Sequence, residues 1–413
     1  MSAILLFVSL AAAADDQQLA LLLKAQTDFD RVDLSASPQL PQTSACVLSQ
    51  AALVPIAPPA DLPIVYFRKA WCTLAGATIT GNPSLYQGAI ADFQKAIDSW
   101  PGRVAVQPKK TTPEPISPAF PVMDAIAKLL ASPGNPAVEA AARQQLVAAV
   151  ATPTCLAEVM PALACQADVK LGREWLGYIA LSAGQLADAA RYFAGSPDSG
   201  WPAWVAGRQA FQSGNYAEAV RQYRSAIGVW QAAGNTGIRQ RFGQPRDLGL
   251  ALTDLGGAQL LSGDTVGAIA TLDQAVKTDP AHARTFFYRA RAKEIAGRGE
   301  AALADYSIAA RTAFAATADL SSGEAHLYRG ITAYRRKDFP RAEDEFSSAL
   351  NFSIPPEQRA DAVAWRHLSA VAAGNCDASR NLLTHDLSSV SPFFPKNEAS
   401  TLIAGCPTAS AAK

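Results

Sequence analysis

Five stretches of the chain repeat one layout. They are "GYIALSAGQLADAARYF" from Gly177, "GRQAFQSGNYAEAVRQYRSAI" from Gly207, "GGAQLLSGDTVGAIATLDQAV" from Gly256, "ARAKEIAGRGEAALADYSIAA" from Ala290 and "GITAYRRKDFPRAEDEFSSAL" from Gly330. In each, apolar residues recur at the helical period, a short turn usually carrying Gly follows, and a second amphipathic helix begins. A helix pair this short cannot bury its own apolar face. It must stack on neighbouring pairs that supply the rest of a shared core. The layout therefore predicts an all-α protein built by stacking hairpins.

The spacing inside the hairpins is more specific. Gly177, Ala189 and Phe193 occupy a small first-helix position and two second-helix anchors. Gly207, Tyr216, Ala219, Tyr223 and Ala226 do the same, followed by Leu255, Gly256, Ala268, Ala275 and Pro280. Then come Ala290, Ala302, Tyr306 and Ala309, and after them Gly330, Phe339, Ala342, Phe346 and Ala349. Ala268 and Ala302 stand 34 residues apart, and an isolated "YQGAIADFQKAIDSWP" places Tyr86, Ala89, Phe93, Ala96 and Pro101 at the same intervals. These segments resemble the tetratricopeptide repeat, a helix–turn–helix family of that period.

The resemblance implies a right-handed α-α superhelix, a TPR-like solenoid, with its array over 166–357. A degenerate last repeat and C-terminal cap are expected over 358–406. An irregular helical region over 15–165 would hold one hairpin at 64–101 and a Pro-rich linker at 102–120. Helices are expected near 121–131 and 136–151. The Pro-rich stretch 38–63 reads as irregular, with helix resuming near 64.

Hydrophobic residues make up 49% of the 413 and charged residues 17%, so the chain can bury a sizeable core. Lys plus Arg balances Asp plus Glu at 36 each, which argues against a protein that binds nucleic acid by charge. The apolar run from Ala3 to Ala14 is too short to span a bilayer and ends in alanines before Asp15, so residues 1–14 read as a signal peptide. No later run suggests membrane insertion. The expected location is periplasmic or secreted, where cysteines form disulfides. A solenoid keeps distant repeats apart, and a disulfide needs close Cα atoms. The expected pairs are Cys46–Cys72, Cys155–Cys165 and Cys376–Cys406, although the four N-terminal cysteines could also cross-pair.

No motif of catalysis emerges. Gly297, Gly299 and Ala302 mimic a dinucleotide loop, but a helix rather than a strand precedes them. The chain has no G-x-S-x-G elbow, no Walker lysine and no His or Cys at metal-ligand spacing, so no cofactor and no metal are expected. Glu343, Asp344 and Glu345 are consecutive on a helix and point in different directions.

What remains is the concave surface of the array. In the resembled family it comes mainly from first helices, about three residues before the small residue and one after it. Those positions hold Trp204 and Arg208, Phe287 and Arg291, and Leu327 and Ile331. One turn on stand Phe211, Glu294 and Tyr334. Aromatics and arginines are enriched at interface hot spots, so the resemblance implies a non-catalytic exported scaffold that binds a protein or peptide in this groove. Two other readings are a glycan- or small-ligand-binding helical protein, for which Trp201 and Trp204 would supply stacking faces, and an enzyme with an unrecognised site.

Overall fold

The structure, a computed structural model, describes residues 15–33, 39–105, 116–151, 162–232, 247–316, 323–352, 354 and 356–406. Every regular element among them is helical. The signal-like residues 1–14 and the expected Cys155–Cys165 pair lie outside what is described. The chain divides into two compact units: Met1–Val205 with Val229–Pro245, and Ala206–Gly228 with Arg246–Lys413.

The first unit contains α1 (Asp16–Asp33), α2 (Leu40–Leu53), α3 (Leu62–Thr80), α4 (Pro83–Ala105), α5 (Ala119–Ala131), α6 (Pro136–Ala151), α7 (Ala162–Ser182) and α8 (Leu186–Phe193). Each packs on its neighbour in sequence. Phe67, at the centre, lies 5.6 Å from Phe93 and 4.7 Å from Phe120, ring centre to ring centre. Helices α3 and α4 form the hairpin expected at 64–101, with Ala89, Phe93 and Ala96 fully buried.

Two expectations need correction. Residues 40–53 are helical in spite of their prolines, because Pro41 sits in the first turn, where no backbone donor is lost. The linker is shorter than 102–120, since α4 runs to Ala105 and α5 starts at Ala119. Cys46 and Cys72 are joined, with Cα atoms 6.0 Å apart, tying α2 to α3.

Helices α9 (Trp201–Gln212) and α10 (Tyr216–Ala232) contribute to both units, the division falling after Val205 and Gly228. The second unit continues with α11 (Asp247–Leu261), α12 (Thr265–Thr278), α13 (Ala283–Ile295), α14 (Gly299–Ala316), α15 (Gly323–Arg335), α16 (Phe339–Leu350), α17 (Pro356–Ala372), α18 (Cys376–Asp386) and α19 (Lys396–Gly405).

The small first-helix residues have one physical role. A Cβ on Gly207 would lie 2.6 Å from Tyr223, on Gly256 2.4 Å from Leu272, and on Gly330 2.5 Å from Phe346. Each bulky anchor of a second helix thus seats directly on the backbone of its partner. Where alanine takes the position, as at Ala290, it is fully buried. Gly297 adopts a φ of 74° in the turn after α13, the left-handed conformation that ends helices, so the dinucleotide-like "AGRGEA" is a hairpin turn. At the C-terminal end Cys376 and Cys406 are joined, Cα atoms 5.7 Å apart, linking the start of α18 to the end of α19.

Candidate functional site

The residues expected to line the groove do not all face it. Trp204 is buried, ring centre 5.8 Å from Trp201, which is buried too. Neither offers an open face for a sugar, which removes the ground for the glycan reading. Leu327 and Ile331 belong to the apolar core of the second unit. Arg291 is buried and bonds Glu294. Tyr334 is buried, with its hydroxyl donating to Glu398 (2.8 Å). Phe211, Phe287, Arg208 and Glu294 stay half-buried.

The reason is helix register. A helix turns about 100° per residue, so positions three before and one after the small residue lie only about 60–100° from the face pressed on the second helix. The positions two and six before it lie further round, at about 120–160°. These hold Asp254, Tyr288 and Tyr328, and Arg284 and Glu324. Of these Asp254 and Tyr328 are buried and Arg284, Tyr288 and Glu324 half-buried; sequence reasoning did not single them out, although the same small residues locate them.

These five residues, from α11, α13 and α15, form one polar cluster. Tyr328 donates its hydroxyl to Glu324 Oε1 (2.8 Å), and Gln358 reaches the same carboxylate (3.4 Å). Arg208 approaches Asp254 (Nη1 to Oδ1, 3.5 Å). Burial would depress the Arg284 guanidinium, but Tyr288, Tyr328, Asp254 and Glu324 around it more than offset this and hold its pKa above the ordinary value. Among the described residues no carboxylate comes within ion-pair distance of Arg284. Burial, reinforced by Asp254, raises the Tyr288 hydroxyl, and burial with Glu324 raises Tyr328. Both phenols are therefore neutral donors. Burial, then Arg284, lowers the His282 imidazole.

A second set of contacts runs beside this cluster. The segment Ser391–Glu398, which ends in the first turn of α19, lies across first helices of the second unit. The Phe393 ring stacks on Tyr288 of α13 at 4.4 Å and lies 6.2 Å from Phe211 of α9 and 6.3 Å edge-on from Phe287. Phe394 meets Trp365 of α17 edge-on at 5.2 Å. Asp361, also on α17, accepts from the Ser391 amide (2.8 Å) and hydroxyl (2.6 Å). Glu398 receives Arg335 of α15 through both oxygens, at 2.8 and 2.7 Å. Arg335 is held from its other side by Glu294 (2.6 Å), which also accepts from Tyr306 (2.9 Å). Three expected groove residues, Phe211, Phe287 and Tyr334, thus touch the chain's own C-terminal segment.

No group of His, Cys, Asp or Glu among the described residues is arranged to hold a metal ion. No described helix is long and apolar enough to cross a membrane.

Gly-turned helix pairs, stacked in sequence order with a small residue of one helix seated on a bulky anchor of the next, define a helical-hairpin repeat protein. Residues 308–359 match the family model described as tetratricopeptide repeat. The anchor geometry of that stretch recurs in the hairpins before it, and residues 308–359 carry a tetratricopeptide repeat. No curated protein sequence matches it. Among solved structures it is similar to a tetratricopeptide repeat protein from Parabacteroides merdae, at 12% identity over 78% of this chain and 99% of that one, with a TM-score of 0.40. It is also similar to yeast Tom70, at 11% identity over 88% and 85% of the two chains, with a TM-score of 0.36. A third is YrrB, described as a TPR protein with an unusual peptide-binding site, at 15% identity over 44% and 84%, with a TM-score of 0.28.

Proposed function

We propose that the protein is an exported, non-catalytic scaffold that binds an extended segment of a protein partner on the first helices of its second unit. The observation that carries this reading is the seating of Ser391–Glu398, a connector and the first turn of α19, on these helices. Aromatic rings take an aromatic side chain, and Arg335 takes a carboxylate through both of its oxygens. Both are contacts typical of peptide recognition. Arg284, with no ion pair of its own, adds a cation for an acidic group of the partner.

Location in the periplasm or outside the cell is supported by the apolar run that ends at Ala14 and by the two disulfides, which persist in oxidising compartments. Terminal sequencing of the native protein should find its N-terminus near Asp15. An intact Met1–Ala14 segment on cytoplasmic protein would remove this part of the proposal.

The binding role is tested by selecting peptides from a displayed library on the oxidised protein. Peptides with an aromatic and an acidic residue are expected, and Arg284→Gln should weaken them at least tenfold. A set of selected peptides indifferent to Arg284→Gln and to Phe211→Ala would place binding elsewhere.

A further inference from the structure

We infer that Ser391–Glu398 is a built-in occupant of the groove, and that an external ligand must displace it. That ligand would be an extended peptide with an aromatic residue and a nearby carboxylate. The inference rests on the binding role proposed above and names both its ligand class and its control.

Three observations carry it. First, the segment is held as a docked peptide is held. Up to Phe394 its backbone bonds are local, Phe394 to Ser391, and from Lys396 it continues into α19. Its attachments to the array are side-chain anchors and the single Ser391 amide bond to Asp361. Side-chain anchors seated against a preformed face, here Phe393, Phe394 and Glu398, are one way in which a docked segment is recognised.

Second, beside Phe393 and Phe394, which are buried as a cap's residues would be, the segment carries one anchor that a cap would not need. Glu398 completes a charge cluster with Arg335 and Glu294 that apolar side chains could replace without loss, since buried ion pairs add little net stability over well-packed apolar groups. A carboxylate read by a guanidinium from both oxygens is instead a specific contact.

Third, the segment leaves part of the face unused. Arg284 lies one turn before Tyr288 on α13, so it stands beside the ring on which Phe393 stacks. The segment pairs no carboxylate with it. A peptide presenting an acidic group next to its aromatic gains a contact that the built-in segment does not make. Only such a differential interaction can shift an occupancy equilibrium. While the segment is seated, the apparent affinity for any outside peptide falls by the fraction of time the groove is open.

The test uses the full, oxidised chain and a fluorescein-labelled peptide of the chain's own residues 388–402, SSVSPFFPKNEASTL. Fluorescence anisotropy measures its binding to the wild-type protein and to Phe393→Ala/Glu398→Ala, which keeps the Cys376–Cys406 bond. The double variant is expected to bind the probe at least tenfold more tightly than wild type. A probe with Asp in place of Pro392 should bind the variant more tightly still, and Arg284→Gln should abolish that increment. If the double variant fails to fold by circular dichroism, Glu398→Gln alone takes its place and should raise affinity about threefold. A folded variant that binds the probe no better than wild type overturns the inference. If library peptides still bind the wild-type groove in that case, the scaffold role stands and only the built-in occupant is lost. If no peptide binds either form, both fall.

Discussion

In the first unit the rings of Phe67, Phe93, Trp100 and Phe120 meet one another, and ion pairs join buried carboxylates to more exposed bases. Lys69 reaches Asp92 (2.9 Å) and Lys128 reaches Asp124, each lysine more exposed than its carboxylate. In the second unit several charges join into networks that span more than two helices. Arg289 is gripped between Asp273 (2.8 Å) and Asp305 (2.7 Å), and Lys293 bonds the same Asp305. Arg335 bridges Glu294 and Glu398. Both units pack small residues under bulky anchors, so packing does not explain the difference. One of these networks ties the start of α19 to α15 and α13, through Glu398, Arg335 and Glu294. The units thus share their packing and differ in how their charges are connected.

The shared feature is the sharpest place to break the comparison. Phe93 and Phe346 are equivalent second-helix anchors and both are fully buried. Replacing either by Ala should cost about 3–5 kcal/mol. Hydrogen exchange should show the loss confined to the mutated unit. A cost at Phe346 far below that at Phe93 would mean that the second unit's charge networks, not its anchors, hold its hairpins together.

The disulfides come next. Each closes a loop of similar length, with sequence separations of 26 and 30. Converting either pair to Ser should cost roughly 3–4 kcal/mol in the chain-entropy model. The location of the loss should differ. Without Cys46–Cys72, protection should fall through α2 and α3. Without Cys376–Cys406, it should fall in α19 and at Phe393, leaving α15 and α16 protected. Loss spread evenly through the second unit would make α19 part of its core and not a separable cap.

Acid separates the units by a smaller effect. All four histidines, 282, 326, 367 and 385, lie in the second unit. Burial, then Arg284, lowers His282, and burial, then Arg366, lowers His367. The unfolded chain therefore takes up these protons first as pH falls. Their contribution is fully present above the ordinary histidine value, roughly 6.5, and is lost as pH drops through the folded values. Exchange measured at pH 7 and pH 5.5 should show the second unit loosening first, and His282→Gln should reduce that loss. Equal loosening of both units would assign the acid sensitivity to carboxylates.

The hairpins were legible in sequence because their code is local and steric. Gly207 under Tyr223 and Gly330 under Phe346 leave a fixed interval that no other arrangement requires. The Cys376–Cys406 contact followed from the same one-dimensional stacking. Helix α2 was hidden because Pro41 reads as a breaker unless its first-turn position is known. Of the expected lining, Trp204, Leu327 and Ile331 are buried, because small-residue spacing alone does not fix which neighbouring helix covers a given face. The C-terminal segment was invisible for a different reason. "SSVSPFFPK" has no helical period, and its partners Phe211 and Tyr288 are more than a hundred residues away.

The smallest expected effect sharpens the comparison at a single turn. Hairpin turns in both units use Gly with positive φ, as at Gly184 in the first unit and Gly214, Gly263, Gly297 and Gly374 in the second. The turn between α15 and α16 has Lys337 instead, at a φ of 61°. A residue with a Cβ in this conformation loses about 1–2 kcal/mol relative to its right-handed form. Glycine removes that strain but gives the unfolded chain more freedom, worth roughly 0.5–1 kcal/mol. Asp338, which caps α16 by accepting from the Arg341 amide, is untouched by the change. Lys337→Gly should therefore stabilise the second unit by about 0.5–1 kcal/mol, read as a rise in urea midpoint with an unchanged slope. The first unit should not respond. A fall in the midpoint would show that the exposed Lys337 side chain contributes more to this turn than its backbone strain removes.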